Sequence, residues 1–187
     1  MFIQTEVTPN PATLKFIPGE PVLDQGTAFF ENAQDCASSP LATRLFALAG
    51  VSGVFFGADF ISVTLEDQNW DEMKAEVLGT ILDHYTSGEP IMHPQAEATP
   101  EAGDQEQDEE TREIIAQIKE LIEVRVRPAV ARDGGDIVFH AFTDGIVYLR
   151  MQGACAGCPS STATLQYGIQ NLLKHYIPEV EAVEAVQ

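Results

Sequence analysis

The apolar residues of this chain change period several times, and each change marks an element. Phe2 to Val7, Leu14 to Ile17 and Thr27 to Phe30 read as short strands, the first two separated by Pro9 and Pro11. Ser39-Pro40 then opens a helix. Serine is a good N-cap, proline is preorganised for the first helical position, and Leu41, Leu45 and Leu48 recur at helical spacing until Gly50 ends the run. Val54 to Gly57 and Phe60 to Glu66 predict a hairpin across Ala58-Asp59, and Trp70, Met73, Val77 and Ile81 predict an amphipathic helix. Residues 1–88 are therefore expected to form a small α+β domain.

From Ser87 to Glu110 the periodicity stops, and Pro, Gly, Ala, Gln and acids take over, as in a flexible tether; residues 89–110 are read as an acidic linker. Beyond it Ile114, Ile118, Leu121 and Ile122 predict a helix starting near Thr111 that bends or stops near Pro128. Arg132 to Asp136 is a turn, and Ile137 to Phe142 pairs with Ile146 to Met151 through Thr143-Asp144-Gly145, a strong hairpin signal. Leu165, Ile169, Leu172, Leu173 and Tyr176 line one stripe of a further helix, which Pro178 closes, and Val180 to Val186 is a last strand. Residues 111–187 thus form a second α+β domain of αββαβ order, with helices packed on one mixed sheet.

Composition narrows the function classes. No apolar run approaches the ~20 residues that span a bilayer, and neither a signal peptide nor an Arg-rich transit peptide is visible, so a cytosol is the expected compartment. The formal charge of −19 argues against a nucleic-acid partner. Its distribution is uneven: residues 1–88 carry 12 acids and 3 bases, 89–110 carry 8 acids and no base, and 111–187 carry 9 acids and 7 bases. The last segment is nearly neutral, which would let two anionic copies approach there.

That segment also holds two of the three cysteines, in Gly153-Ala154-Cys155-Ala156-Gly157-Cys158-Pro159-Ser160-Ser161. Cysteine thiolates hold iron–sulfur clusters and structural zinc, usually with four protein ligands, and one chain with Cys155, Cys158 and a distant Cys36 cannot supply four thiolates. Three readings follow. Two chains share a cluster, or the pair does thiol–disulfide chemistry, or nitrogen and oxygen ligands complete a metal site. The orphan N–H groups of the helix after Cys158 can stabilise thiolate, Gly153 and Gly157 allow a tight turn around a bulky ligand, and Ser160, Ser161 and Thr162 can cap the helix or donate to sulfur. Zinc motifs normally show a second Cys or His pair, which His84, His93, His140 and His175 do not make, and a thioredoxin-like site follows the first strand of a βαβ unit rather than a hairpin. Context favours the cluster.

Arg127-Pro128, Asp133-Gly134-Gly135-Asp136 and Gly153 to Ser161 resemble the NifU C-terminal-like domain of Nfu-type iron–sulfur proteins. Phe2 to Glu6, Thr8 to Pro11, Leu14 to Gly19 and Gly50 to Val54 resemble the family's N-terminal Nfu domain. The resemblance implies that Cys155 and Cys158 are the cluster ligands and that a [4Fe-4S] cluster, with [2Fe-2S] as the alternative, is shared by two chains that form a homodimer on loading. It also implies upstream cluster assembly proteins as donors and iron–sulfur apoproteins as recipients, such as aconitase-type dehydratases and radical synthases. No catalytic residue is implied; the competing reading is a thiol–disulfide oxidoreductase using the C-x-x-C pair. Cys36 is expected to be a small buried residue, His140 and His175 structural, and Trp70, Phe55 and Phe56 core. Arg125, Arg127 and Arg132 are read as a docking face or as solvated charges balancing Glu120 and Glu123.

Overall fold

The computed structural model describes residues 2–67, 69–93, 109–156 and 159–186, and of 159–162 the backbone alone. Cys158, Gly157 and residues 94–108 of the expected linker lie outside the described residues. In the N-terminal domain β1 (Gln4–Val7), β2 (Thr13–Ile17), β3 (Ala28–Phe30), β4 (Val51–Phe56) and β5 (Ile61–Leu65) make a sheet in the order β1-β2-β5-β4-β3, antiparallel throughout. Two helices, α1 (Pro40–Phe46) and α2 (Trp70–Ser87), cover one face of it. Ser39 caps α1 as the sequence predicts, its hydroxyl accepting from the Ala42 N–H at 3.0 Å. Phe16, Phe56, Ile61 and Val63 meet Leu41, Leu45, Val77 and Ile81 there in one apolar cluster.

Two local features differ from expectation. A 3-10 helix spans Ala33–Ser38, capped by the Asn32 side chain, where periodicity gave no element. After α2 the chain does not leave the domain at once. Glu89 pairs with Arg44 at 2.6 Å, Ser39 donates to the Ile91 carbonyl at 2.6 Å, and the His93 N–H donates to the Ser38 carbonyl at 2.8 Å. Ile91 and Met92 pack on the same core, so residues 89–93, read from sequence as linker, are tied to the first domain.

The second domain runs α3 (Glu109–Leu121), a π-helical turn (Ile122–Val126), α4 (Arg127–Arg132), β6 (Gly135–Thr143), β7 (Ile146–Gly153), α5 (Pro159–Tyr176) and β8 (Ala182–Val186). This is the αββαβ order read from the sequence, on a mixed sheet: β6 pairs antiparallel with β7, and β7 parallel with β8. The hairpin turns at Asp144 and Gly145, both with positive φ (50° and 77°), as a two-residue Asp-Gly turn requires.

The helix neither stops nor simply bends before Pro128. Ile118, Ile122, Val126 and Val130 are all buried, at a strict spacing of four. On an ideal α-helix that spacing drifts about 40° per step, so the stripe would rotate off the core. The wider π-helical turn absorbs the drift and frees the residue before Pro128 from the usual ladder.

Candidate functional site

The cysteine loop leaves the end of β7 and enters α5, and it lies against the Asp133-Gly134-Gly135-Asp136 turn that joins α4 to β6. β6 and β7 start and end side by side, Gly135 opposite Gly153 and Asp136 opposite Gln152, so the hairpin itself brings the two motifs together. The backbone fastens them: the Ala154 N–H donates to the Gly134 carbonyl at 3.1 Å. Gly135 has no room for a side chain. A Cβ there would lie 2.5 Å from the Cys155 Sγ and 2.8 Å from the Cys155 backbone nitrogen. Gly134 has φ +80°, a conformation that L side chains rarely adopt.

Asp136 is 2 % exposed and fully engaged. Its carboxylate accepts from Arg127 Nε at 2.8 Å and Nη2 at 2.7 Å, from its neighbour's Ile137 N–H at 2.8 Å, and from the Thr27 hydroxyl of the N-terminal domain at 2.8 Å. Arg127 also donates to Glu123 at 2.6 Å. The carboxylate hydrogen bond, more than burial opposes it, raises the guanidinium above its ordinary value. Arg127 is therefore an internal clamp that fixes α4 to β6 under the loop, and of the three arginines considered for a docking face it is the one committed inward. Charge-assisted, two-pronged geometry of this kind holds a turn in one position.

Cys155 is 6 % exposed, packed among Met151, Ile169 and Val130 of the second core. Burial pushes its thiol up to about 12, and the neighbouring Asp133 and Asp136 charges add to the shift. The expectation that helix N–H groups stabilise thiolate was drawn for Cys158, which lies outside the described residues; at Cys155 burial acts in the other direction. Cavities open on both sides of it. One, of about 570 Å³, lies between α4 and α5 and is lined by Arg125, Ala129, Asp133, Leu165 and Leu172; the other, of about 470 Å³, lies between the domains, against Phe29, Ser52, Thr64 and Ala156.

The Cys155 thiol fits a thiolate-bound cargo: a soft sulfur ligand in a glycine-bordered loop, with space beside it. Among the described residues no three His, Cys, Asp or Glu side chains come together to hold a metal ion. Cys36 is remote from the loop, in the N-terminal core, where it is 1 % exposed and donates to the Asn32 carbonyl at 3.3 Å. Burial, with Asp35 beside it, pushes that thiol up to about 11.

Sequence reasoning missed the contribution of the first domain. The Asn10 amide donates to the Ala156 carbonyl at 3.1 Å, inside the cysteine loop. Lys15, 8 % exposed, donates to the Ala131 and Arg132 carbonyls at 3.4 and 3.2 Å, at the end of α4. Polar strand residues normally read as solvent-facing, and only the assembled pair of domains shows what covers them.

A glycine-bordered thiol loop on an αββαβ sheet, with a separate β-rich domain ahead of it, defines a two-domain protein of the kind that carries NifU-like modules. Residues 118–184 match the family described as the NifU-like domain, and residues 3–88 match the one described as scaffold protein Nfu/NifU N terminal. The chain is 51% identical over 190 residues to a human protein named "NFU1 iron-sulfur cluster scaffold homolog, mitochondrial", covering 100% of this chain and 72% of the relative. It is 50% identical to "NifU-like protein 4, mitochondrial" of Arabidopsis thaliana, over 98% of this chain and 65% of that one. A NifU-like protein from Saccharomyces cerevisiae, solved by NMR, superposes with a TM-score of 0.46 at 23% identity, over 51% of this chain and 87% of that one. The chain belongs to the Nfu/NifU family of two-domain proteins.

Proposed function

We propose that this protein is an iron–sulfur cluster scaffold and carrier: Cys155 and Cys158 from each of two protomers bind a [4Fe-4S] cluster between them, and the dimer passes it to recipient apoproteins. The cluster is cargo received from upstream assembly proteins, and the role is non-catalytic. The observation that carries the reading is the thiol of Cys155, held against Gly135 in a loop that supplies two cysteines per chain, in a family whose relatives are named as cluster scaffolds. Two thiolates per chain meet the four-ligand demand of a cubane only by pairing chains. The thiol–disulfide oxidoreductase alternative predicts a reversible Cys155–Cys158 disulfide and dithiol turnover, and finding no reductase activity in the metal-free protein would remove it.

The nearly neutral C-terminal segment supports approach of two copies, the net charge of −19 speaks against nucleic acid as a partner, and no helix among the described residues is long and apolar enough to cross a membrane. A reducing compartment is proposed, bacterial cytoplasm or, as in the named relatives, the mitochondrion. Anaerobic reconstitution with iron and sulfide tests the reading. Roughly four irons per pair of chains, dimerisation on loading, and loss of both in Cys155→Ala and Cys158→Ala are expected; a cluster confined to monomers, or none, would refute it.

A further inference from the structure

The N-terminal sheet has two buried faces, and only one of them is accounted for by its own helices. Pairing registers place Glu6, Lys15, Ser62, Phe55 and Phe29 side by side in a single row across all five strands. The row lies on the face away from α1 and α2, because its neighbours in sequence, Phe16, Ile61 and Phe56, are in the helix-side cluster and Phe55 and Ser62 are not. In a sheet covered on one side the other side faces water. Here Phe55 and Ser62 are each 1 % exposed. What covers them is the cysteine loop and its supporting turn: sites for a Cβ on Gly153 and Gly134 would lie 2.9 Å from the Phe55 ring and 2.7 Å from the Ser62 hydroxyl.

The contact is polar and specific rather than a general apolar seal. Lys15 places its ammonium on the last carbonyls of α4, where a cation is favoured, and over the Phe60 ring at 4.6 Å. Thr27 reaches Asp136, and Asn10 reaches Ala156, next to Cys155. The Ser62 hydroxyl is buried there with no hydrogen-bond partner among the described residues. A buried orphan hydroxyl disfavours the closed arrangement and is relieved when water returns, which suits a contact that opens.

We propose that the N-terminal domain is a detachable lid on the cysteine loop: closed, it shields Cys155 in the metal-free chain, and its docking competes with the pairing of two C-terminal domains around shared cargo. The competition rests on the carrier reading; the closure does not. While Asn10 holds Ala156 and Phe55 and Ser62 cover the Gly-Gly turn, a second chain is kept from that side of the loop, so opening frees the face that sharing needs. The lid also explains why the polar residues Asn10, Lys15, Thr27 and Ser62 lie at an interface.

The test is alkylation of the metal-free full chain by iodoacetamide, with Cys155 and Cys36 followed separately by peptide mass spectrometry. Thr27→Val and Lys15→Met weaken the lid without touching the loop, and each is expected to raise the Cys155 rate by about tenfold, the shift that losing one hydrogen bond to a charged group sustains. Cys36 serves as the fold control, being buried in the N-terminal core; its rate stays unchanged if only the lid has opened. Should Lys15→Met accelerate both thiols, that variant has unfolded the domain and Thr27→Val is read in its place. An unchanged Cys155 rate in Thr27→Val would overturn the lid. Protection that strengthens with protein concentration would overturn closure within one chain. The same variants, given iron and sulfide without oxygen, are expected to load faster than the parent, and hydrogen exchange in β2 and β5 to increase on loading. If no cluster forms while the alkylation effect persists, the carrier reading fails and the lid stands; if clusters form and alkylation is unaltered, the reverse holds.

Discussion

Asp136→Asn tests whether the Arg127 clamp fixes the turn under the cysteine loop. The carboxylate accepts four hydrogen bonds, two on each oxygen: Arg127 Nε and the Ile137 N–H on one, Arg127 Nη2 and the Thr27 hydroxyl on the other. An amide in the same place turns one oxygen into a donor, so whichever way it lies two of the four donors lose their acceptor. Each orphaned donor costs about 1–3 kcal/mol, and loss of an entire buried ion-pair partner about 3–5 kcal/mol. The Arg127 side chain is 28% exposed and keeps Glu123, so water and that carboxylate absorb part of the loss, and about 2–3 kcal/mol is expected. Urea denaturation measures it, with two probes because two domains need not unfold together. Trp70, the single tryptophan, reports on the first domain, where its indole donates to the Ala12 carbonyl at 3.2 Å; far-UV circular dichroism reports on both. The expected result is a C-terminal transition at lower urea with the Trp70 transition little moved. Arg127→Met combined with Asp136→Asn should be less destabilised than the sum of the two by about 1–2 kcal/mol. A shift below about 0.5 kcal/mol would place the pair with exposed ion pairs and refute the clamp.

Three further outcomes are expected. Gly135→Ala drives a Cβ against the Cys155 sulfur and backbone, so it destabilises the C-terminal domain by about 1–3 kcal/mol and lowers iron loading, measured by urea denaturation and iron content; normal loading would refute the close-approach role. Cys36→Ala costs about 1 kcal/mol by removing a buried sulfur and its hydrogen bond to Asn32, and leaves iron per chain unchanged; a drop in iron would make Cys36 a ligand. Burial, with Arg44 nearby and Glu89 opposing, holds the His84 imidazole below its ordinary value of 6.5. The folded domain then binds fewer protons than the unfolded chain, so this contribution is full above about pH 6.5 and is lost as pH falls, by at most ~1.4 kcal/mol per pH unit. Trp70-monitored denaturation between pH 7.5 and 5.5 should show that slope in the parent and a shallower one in His84→Gln; equal slopes would remove His84 as the cause.

Much of the fold is legible because local chemistry and global packing agree. Ser39-Pro40 caps and opens α1, Asp144-Gly145 supplies the positive φ angles that its hairpin needs, and the stripe from Leu165 to Tyr176 lies within α5. Elements were misjudged where a non-ideal turn keeps a pattern in phase. The π-helical turn is one case, and its signal was present as a four-residue spacing ending at a proline. The hairpin of β6 and β7 was read correctly, but not the β-bulge within β6. Phe139 and Phe142 both pack on the second core although an odd separation puts them on opposite faces of a regular strand; the register shift between Phe139 and Ala141, at His140, turns the second onto the core side. The 3-10 helix over Ala33–Ser38 is polar and short, so no periodicity announces it.

The candidate site was marked in the sequence by its glycines and cysteines, and nothing there marked what restrains them. Asp133-Gly134-Gly135-Asp136 reads as a turn from composition alone, but that its second aspartate takes hydrogen bonds from both domains depends on Thr27, far away in sequence. Likewise Leu14 to Ile17 reads as a short strand, and nothing in it announces that Lys15 meets the end of α4. A sequence pattern records the burial of a face but not which surface buries it, so contacts between domains stay hidden until both are placed. The consequence reaches function. If one loop is both the seat of shared cargo and the footing of the first domain, the two occupancies are linked: the free energy with which Lys15, Thr27 and Asn10 hold the closed form is subtracted once for each chain, and so twice per dimer, from the apparent affinity of two chains for each other. Substitutions at those three positions, none of them a ligand, would therefore shift dimerisation and loading together and by the same factor, whereas a change confined to the thiols would alter loading and leave the docking equilibrium of the metal-free chain where it was.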